Sequence, residues 1–171
     1  MSRQKTLDLL ATGKTPWNRW RRENAEVQAF EPDLHGADLH GADLHGMDFY
    51  EADLTEANLQ DADLREADLR ETDLRHADLR SANLSDANLL KARLHGADLR
   101  GANLCRTNLQ GADLSNADLR GADLDGAILD KANFDKANVS RRDLGEADPN
   151  TLLTGKEPRA GSVALHEVKA A

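Results

Sequence analysis

The 171-residue chain contains one cysteine and four prolines, and aromatic residues make up only 4% of it. The single cysteine, Cys105, excludes an internal disulfide and favours a reducing compartment. No stretch approaches the roughly 18 consecutive apolar residues that a membrane-spanning helix requires. The apolar residues near the N-terminus are too few, and too interrupted by Asp8, for a signal-peptide core. We therefore expect a cytoplasmic protein without a membrane segment.

The apolar residues that are present follow a strict period. From Leu34 to Leu144 a large apolar residue returns every five positions, through 23 repeats. A small residue, usually alanine, stands two positions before most of them, with aspartate or asparagine between. Few aromatics and a formal net charge of −9 are typical of disorder. Because so regular an apolar set can be buried on one side of a surface, we expect a folded repeat array instead.

A period of five excludes the ordinary secondary structures. On an α-helix each step of five turns the side chain by about 500°, so the leucines would scatter around the axis. On a continuous strand each such step would reverse the face. The remaining solution is a short extended piece that points alanine and leucine inward, followed by a turn. Glycine at the last position of several units, such as Gly36 and Gly101, suits the backbone of that turn.

The unit A-[D/N]-L-x-x resembles the pentapeptide-repeat family over residues 32–148. This resemblance implies an all-β solenoid, a right-handed quadrilateral β-helix with four repeats per coil and about six coils. Stacked coils lie about 4.8 Å apart, which gives a rod on the order of 28 Å long. Residues twenty apart would form columns, and one inward column would contain Leu39, Leu59, Leu79, Leu99, Leu119 and Val139.

Residues 1–31 are predicted to form an α-helical cap on the first coil. Ser2 is the expected N-cap of a first helix ending at Leu10, and Thr15 followed by Pro16 is the expected start of a second. The residues expected to cover the coil are Trp17, Trp20, Val27 and Phe30. A structural cap is the favoured interpretation, and an aromatic patch that binds a partner is the alternative.

The C-terminal end of the array is predicted from two departures from the repeat pattern. Arg142 occupies an inward alanine position, and Pro149 stands where the next large apolar residue is due. Residues 149–171 are polar and are expected to form a flexible tail. Leu152 and Leu153 either fold over the last coil or leave it open, so the chain is expected to be a monomer or a homodimer through this end.

No motif in the sequence predicts a catalytic, cofactor or metal site. Gly13-Lys14-Thr15 lacks the upstream glycine of a phosphate-binding loop, since Asp8 stands there. His35, His40 and His45 would point outward from three successive faces and could not converge on one ion. Cys105 is expected to be a surface thiol. The aspartates between alanine and leucine are expected to accept hydrogen bonds from the local backbone.

Charge and a sparse apolar strip are the two functional signals. Residues 32–148 contain 25 acidic and 13 basic residues, so this region should repel nucleic acid and attract a basic groove. The resemblance adds a precedent, because some family relatives imitate duplex DNA and bind DNA gyrase. Against this, Arg80, Arg100 and Arg120 should stack beside Asp78, Asp98 and Asp118 as a neutralised array of ion pairs.

Tyr50 and Leu90 share an outward column on the fourth face, and Ile128 is apolar where aspartate or asparagine is usual. We therefore expect a non-enzymatic structural or protein-interaction module that binds a protein partner, of unspecified identity, through this strip. The alternative is a DNA-mimicking binder of DNA gyrase or another topoisomerase. Neither hypothesis includes a cofactor or direct binding to nucleic acid.

Overall fold

The computed structural model describes residues 3–24, 32–140 and 143. Two helices come first, α1 (Arg3–Leu10) and α2 (Lys14–Glu23). The repeats that follow are joined by isolated parallel β-bridges, each involving a single residue per strand. The predicted extended pieces are thus one bridged residue long, because a turn interrupts the chain after each leucine.

Each bridge joins residues twenty positions apart. The bridges run from Asp33–Asp53 to Asp118–Asn138 without a break in register. Twenty residues are four repeats, so four repeats complete one coil and residues twenty apart form a column, as the family resemblance implies. The predicted number of coils depends on residues beyond 143 and stays a prediction.

We name the four faces of the coil by the apolar residues at the centre of their repeats. The first face contains Leu34, Leu54, Leu74, Leu94, Leu114 and Phe134; the second, Leu39, Leu59, Leu79, Leu99, Leu119 and Val139; the third, Leu44, Leu64, Leu84, Leu104 and Leu124; the fourth, Phe49, Leu69, Leu89, Leu109 and Leu129.

Backbone hydrogen bonds connect consecutive coils in the same way in repeat after repeat. On the second face Leu79 N donates to Asp98 O at 2.8 Å, and Asp98 N donates to Ala77 O at 3.0 Å. Within the coil, Ala82 N donates to Leu79 O at 3.1 Å and closes the turn. Stacking therefore satisfies the backbone groups that a single coil would leave open.

The turn requires a left-handed residue at the last position of the unit. Gly101 has a φ of 69°, but Glu51 at the equivalent position has a φ of 55°. A non-glycine residue in this region costs roughly 1–2 kcal/mol. The regular stacking of the coils holds these residues there, so glycine is favoured in the turn but not required.

Leucine and alanine fill the interior. Leu59, Leu79, Leu99 and Leu119 are 0% exposed, whereas Leu39 and Val139 at the two ends of this column are only partly buried. Thr72 occupies an alanine position and is also fully buried, and its hydroxyl donates to Phe49 O at 2.7 Å. That hydrogen bond removes the cost of burying an unpaired hydroxyl.

The predicted start of the second helix, with Thr15 as N-cap and Pro16 as the first helical residue, is wrong by two residues. α2 begins at Lys14 with Gly13 as its N-cap, and Trp17 N donates to Gly13 O at 3.2 Å. Gly13 has a φ of 92°, which suits glycine and turns the chain between the helices. Thr15 therefore lies inside the helix and provides no side-chain cap.

Several predictions fall on residues that the structure does not describe. These are the capping role of Ser2, the packing of Val27 and Phe30, the end of the core at Arg142, and the tail over 149–171. Within the described part of the chain, neither helix is long and apolar enough to cross a membrane.

Candidate protein-contact faces

The outward aspartates and asparagines hold the turn on every face. Leu90 N donates to Asn88 Oδ1 at 3.2 Å, and Arg100 N donates to Asp98 Oδ1 at the same distance. Aspartate and asparagine therefore accept the same backbone hydrogen bond in the turn, as predicted for the aspartates, and the two residues differ only in charge. In the described repeats only Arg93 and Ile128 replace them at this position.

The second face is an array of ion pairs. Within the repeats, Arg80 Nη2 lies 2.6 Å from Asp78 Oδ2, and Arg100 Nη2 lies 2.6 Å from Asp98 Oδ2. Between coils, Arg80 Nε lies 3.8 Å from Asp98 Oδ2. The same arrangement continues one coil further, at Asp118 and Arg120. The predicted neutralised array is confirmed.

Hydrogen bonding to arginine changes the acidity of these carboxyl groups. The guanidinium groups of Arg80 and Arg100 lower the pKa of Asp78 and Asp98 respectively, and burial opposes the shift only in part. The carboxylates on this face therefore stay ionised to a lower pH than ordinary aspartate.

The fourth face has a different outward composition. One column contains Asp48, Asp68, Asn88, Asn108 and Ile128; the other contains Tyr50, Arg70, Leu90, Gln110 and Asp130. Ile128 is 49% exposed and is the only large apolar side chain that is exposed among the described residues. Leu90 is half-buried. The predicted strip thus lies on one face, but polar side chains separate its members.

Arg70 is the side chain that separates Tyr50 from Leu90. Its guanidinium carbon lies 5.1 Å from the centre of the Tyr50 ring, and its Nη2 lies 2.6 Å from Asp68 Oδ2. A hydrogen bond to the Glu51 carboxylate, together with its charge, raises the pKa of the Tyr50 hydroxyl. This cation–π contact places a cation within the strip, and the twenty-residue spacing of Tyr50 and Arg70 is a signal that sequence reasoning missed.

Helix α2 lies against the first coil at the fourth face. Trp17 is 0% exposed, its Nε1 donates to Asp48 O at 2.7 Å, and its ring centre lies 5.6 Å from that of Phe49. Trp20 is partly exposed and lies 5.8 Å from Trp17, centre to centre. The two tryptophans therefore differ in role, because only Trp17 reaches the core.

Two polar side chains of α2 add to this contact. Asn18 Nδ2 donates to Gly46 O at 2.9 Å, and Asn18 Oδ1 accepts from Asp48 N at 3.0 Å. Arg21 donates to Tyr50 O, and its Nε lies 3.6 Å from Asp48 Oδ1. Asp48 N and Tyr50 O are groups of the kind that pair with a neighbouring coil elsewhere in the stack, as Asp68 N does with Met47 O and Arg70 O does with Glu51 N. No sequence pattern pointed to a role for Asn18.

The three early histidines lie on three different faces. His40 Nδ1 lies 4.0 Å from Asp61 Oδ2, and His45 Nε2 lies 4.0 Å from Glu66 Oε2. His40 and His45 therefore each face a carboxylate of the next coil and not another histidine. In residues 3–24, 32–140 and 143, no three metal-ligating side chains lie close enough together to hold an ion.

Cys105 lies on the third face and is partly exposed. Burial raises the pKa of its thiol, and a hydrogen bond to Asp123 adds to the effect. A thiol with a raised pKa forms less of the nucleophilic thiolate. This residue is therefore better suited to packing than to reaction.

A histidine–serine pair on the first face was not predicted. His95 Nδ1 lies 2.9 Å from Ser115 Oγ in the next coil, and the ring of His76 stands edge-on to His95 at 5.6 Å, centre to centre. Ser115 is 9% exposed, and its N donates to Asp113 Oδ1 at 3.1 Å. The serine is thus enclosed between coils, where it links them.

The repeat period, the bridges and the packed interior define a β-solenoid of five-residue repeats with flat outer faces. The sequence pattern of pentapeptide repeats matches residues 33–70, 67–106 and 107–144. The chain belongs to the pentapeptide repeat family, whose members form right-handed quadrilateral β-helices. Such proteins are generally structural or interaction modules and not enzymes.

Two solved structures illustrate the relationship. The pentapeptide repeat protein Rfr23 from the cyanobacterium Cyanothece 51142 is 39% identical, with a TM-score of 0.50, over 57% of this chain and 64% of that one. A pentapeptide repeat protein from the thylakoid lumen of Arabidopsis thaliana is 27% identical, with a TM-score of 0.61, over 69% of this chain and 92% of that one. This chain thus spans less than two thirds of the length of the cyanobacterial protein. No curated protein sequence matches it significantly.

Proposed function

We propose that the chain is a non-enzymatic protein-interaction module that contacts its partner through the fourth face. The observation that carries this proposal is Ile128, which is 49% exposed at a position where aspartate or asparagine is the rule. An exposed apolar side chain next to uncharged residues such as Asn108 and Gln110 of the coil below is typical of the centre of a protein interface. The half-buried Leu90 and Tyr50 extend this surface along the coil stack.

Rigidity supports the same proposal. The fourth face rests on leucines that are 0% exposed, such as Leu69, Leu89 and Leu109. A surface held in place by a packed interior loses little conformational entropy on binding. A partner would therefore meet preformed columns of side chains.

The proposal is tested by affinity capture with matched charge variants. Leu90→Asp with Ile128→Asp places two carboxylates in the strip. Asn83→Asp with Asn103→Asp adds the same charge to the third face in neighbouring coils. A partner recovered by the native protein and by the third-face variant, but lost by the strip variant, supports the proposal. A partner retained by the strip variant overturns it.

We propose that α2 caps the first coil, since Trp17, Asn18 and Arg21 occupy backbone groups of residues 46–50. Trp17→Ala should then destabilise the first coil more than Trp20→Ala, because Trp17 is buried and Trp20 is not. Hydrogen exchange of the amides in residues 33–50 measures the difference. Equal protection in the two variants would contradict a capping role for Trp17.

The alternative function is a DNA-mimicking binder of DNA gyrase or another topoisomerase. The acidic excess in residues 32–148 supports it. The second face opposes it, because arginine neutralises Asp78, Asp98 and Asp118 there. A gyrase supercoiling assay at micromolar protein, with and without a quinolone, decides between the two. We expect no effect, and inhibition or protection would favour the alternative.

The homodimer through the C-terminal end involves residues outside the described part of the chain and stays a prediction. The cytoplasmic location likewise stays a prediction.

A further inference from the structure

The fourth face carries a block of uncharged side chains in consecutive coils. We call Asn88, Leu90, Asn108, Gln110 and Ile128 the neutral block. On the opposite, second face, the corresponding coils carry aspartate and arginine instead, for example Asp98 with Arg100. The neutral block is therefore a local gap in the charge of a highly charged chain.

The carboxamides of the neutral block are only partly used within the fold. Asn88 Oδ1 accepts from Leu90 N and from Asn108 Nδ2, both at 3.2 Å. Asn108 Oδ1 accepts from Gln110 N at 3.1 Å. The Nδ2 group of Asn88 and the side chain of Gln110 make no hydrogen bond to described residues. Each carboxamide contains both donors and an acceptor, so one such block is complementary to another.

The distribution of charge favours a second copy of this chain as the binding partner of the neutral block. The chain has a formal net charge of −9, so two copies that met through carboxylate-rich faces would repel each other. The neutral block allows approach without placing like charges opposite each other. A self-association that avoids charge at the centre of the contact is common in homodimers.

The columns also define how two copies would align. In an antiparallel two-fold arrangement with Asn88 level with Asn108 of the second copy, Leu90 is level with Gln110 of that copy. The same register places Arg70 level with Asp130 and Asp68 level with Ile128 of the second copy, and symmetry repeats both pairs. An Arg70–Asp130 pair thus lies on each side of an uncharged centre formed by Asn88, Leu90, Asn108 and Gln110, which is self-complementary as an isologous contact must be.

We infer that two copies of this chain associate side by side through the neutral blocks of their fourth faces. The inference rests on the proposed function, because it uses the same face, and it names the partner as a second copy. A single face of the coil stack is narrow, so the contact lies well below the roughly 800 Å² per partner of a standard interface. The dimer is therefore weak and depends on concentration.

Sedimentation equilibrium of the full chain between about 5 and 500 µM, at physiological salt, tests this inference. The decisive variant is Asn88→Asp with Asn108→Asp, which places carboxylates opposite one another across the two-fold. Asn83→Asp with Asn103→Asp on the third face is the matched control. Aspartate is the common residue at these positions in other repeats, so both variants are expected to fold.

We expect a monomer–dimer equilibrium in the native chain and in the control. The dissociation constant of the fourth-face variant should rise at least about tenfold, because like charges across an interface cost more than about 1.4 kcal/mol. A native chain that stays monomeric up to 500 µM, or a dimer weakened equally by both variants, overturns the inference. A dimer that survives the fourth-face variant would place the contact elsewhere, for instance at the C-terminal end.

A charge exchange tests the register independently. Asp130→Arg should weaken the dimer by placing two cations level with each other, and adding Arg70→Asp should restore part of the loss. Failure of the exchange to restore association would overturn the antiparallel register. If no dimer forms but affinity capture still depends on Leu90 and Ile128, the inference fails while the proposed function stands.

Discussion

The second and fourth faces share one backbone and one interior but carry opposite kinds of surface. Beneath both faces, leucines such as Leu79 and Leu109 are 0% exposed. Above them, the second face pairs Asp98 with Arg100, whereas the fourth presents Asn108 and Gln110. The fold therefore fixes the position of each outward side chain but leaves its chemistry free.

This difference follows from what the turn requires. Asp98 and Asn108 both accept a backbone hydrogen bond two residues on, so either residue satisfies the local structure. Exchanging one for the other changes charge without changing the turn. A repeat protein of this kind can thus vary the charge of one face while the others stay constant.

The largest expected effect concerns the interior, where the two faces should be alike. Leu79→Ala beneath the second face and Leu109→Ala beneath the fourth should each lower the free energy of unfolding by about 2–5 kcal/mol. Both leucines are fully buried in the middle of the stack, so the two costs should agree within about 1 kcal/mol. Urea unfolding followed by circular dichroism measures them. A cost near zero at either site would show that its column is not tightly packed.

The ion pairs of the second face should contribute less. Asp78→Asn, Asp98→Asn and Asp118→Asn together keep the turn and remove the charge. Because these groups are largely solvent-screened, we expect a loss of about 0.2–1 kcal/mol per pair, measured by urea unfolding at low salt. Sodium chloride at about 1 M should reduce the difference.

The control for this variant removes three carboxylates that form no ion pair with any arginine that the structure describes. Asp33→Asn, Asp43→Asn and Asp123→Asn change the net charge equally, but they should leave the stability unchanged or slightly higher. If both triple variants lose the same stability, the effect comes from total charge and not from the ion pairs.

Acid should abolish the contribution of the same pairs. Hydrogen bonds from arginine lower the pKa of Asp78, Asp98 and Asp118 in the folded state. Their stabilisation is therefore present above the unfolded carboxyl pKa of about 3.9 and is lost as the pH falls through the lower folded pKa values. The difference in unfolding free energy between the native chain and the Asp→Asn triple variant should stay constant from pH 7 to about 5. It should shrink at lower pH, and a difference that grows there would contradict the assignment.

Features that follow from the five-residue period together with the family resemblance could be predicted. The four-repeat coil that the resemblance implies placed Arg80 level with Arg100, next to Asp78 and Asp98, and the structure confirms this array. Contacts that depend on how α2 packs against the first coil could not be predicted from the repeat pattern. The contact of Asn18 with Gly46 depends on how α2 meets the coil, and no period records that. The start of α2 was missed because Thr15 and Pro16 form a good local signal, which the turn at Gly13 overrides.

The smallest expected effect distinguishes binding from folding on the fourth face. Ile128 cannot accept a hydrogen bond from Asp130 N, whereas the asparagine one coil below, Asn108, accepts one from Gln110 N. Ile128→Asn should therefore raise the free energy of unfolding by about 0.5–1 kcal/mol, the net contribution of one such bond, or leave it unchanged. Asn108→Ile is the reverse variant and should lower it by a similar amount. If Ile128→Asn instead destabilises the chain by more than about 1 kcal/mol, Ile128 packs within the fold. The main observation in favour of the fourth face as a contact surface would then be lost.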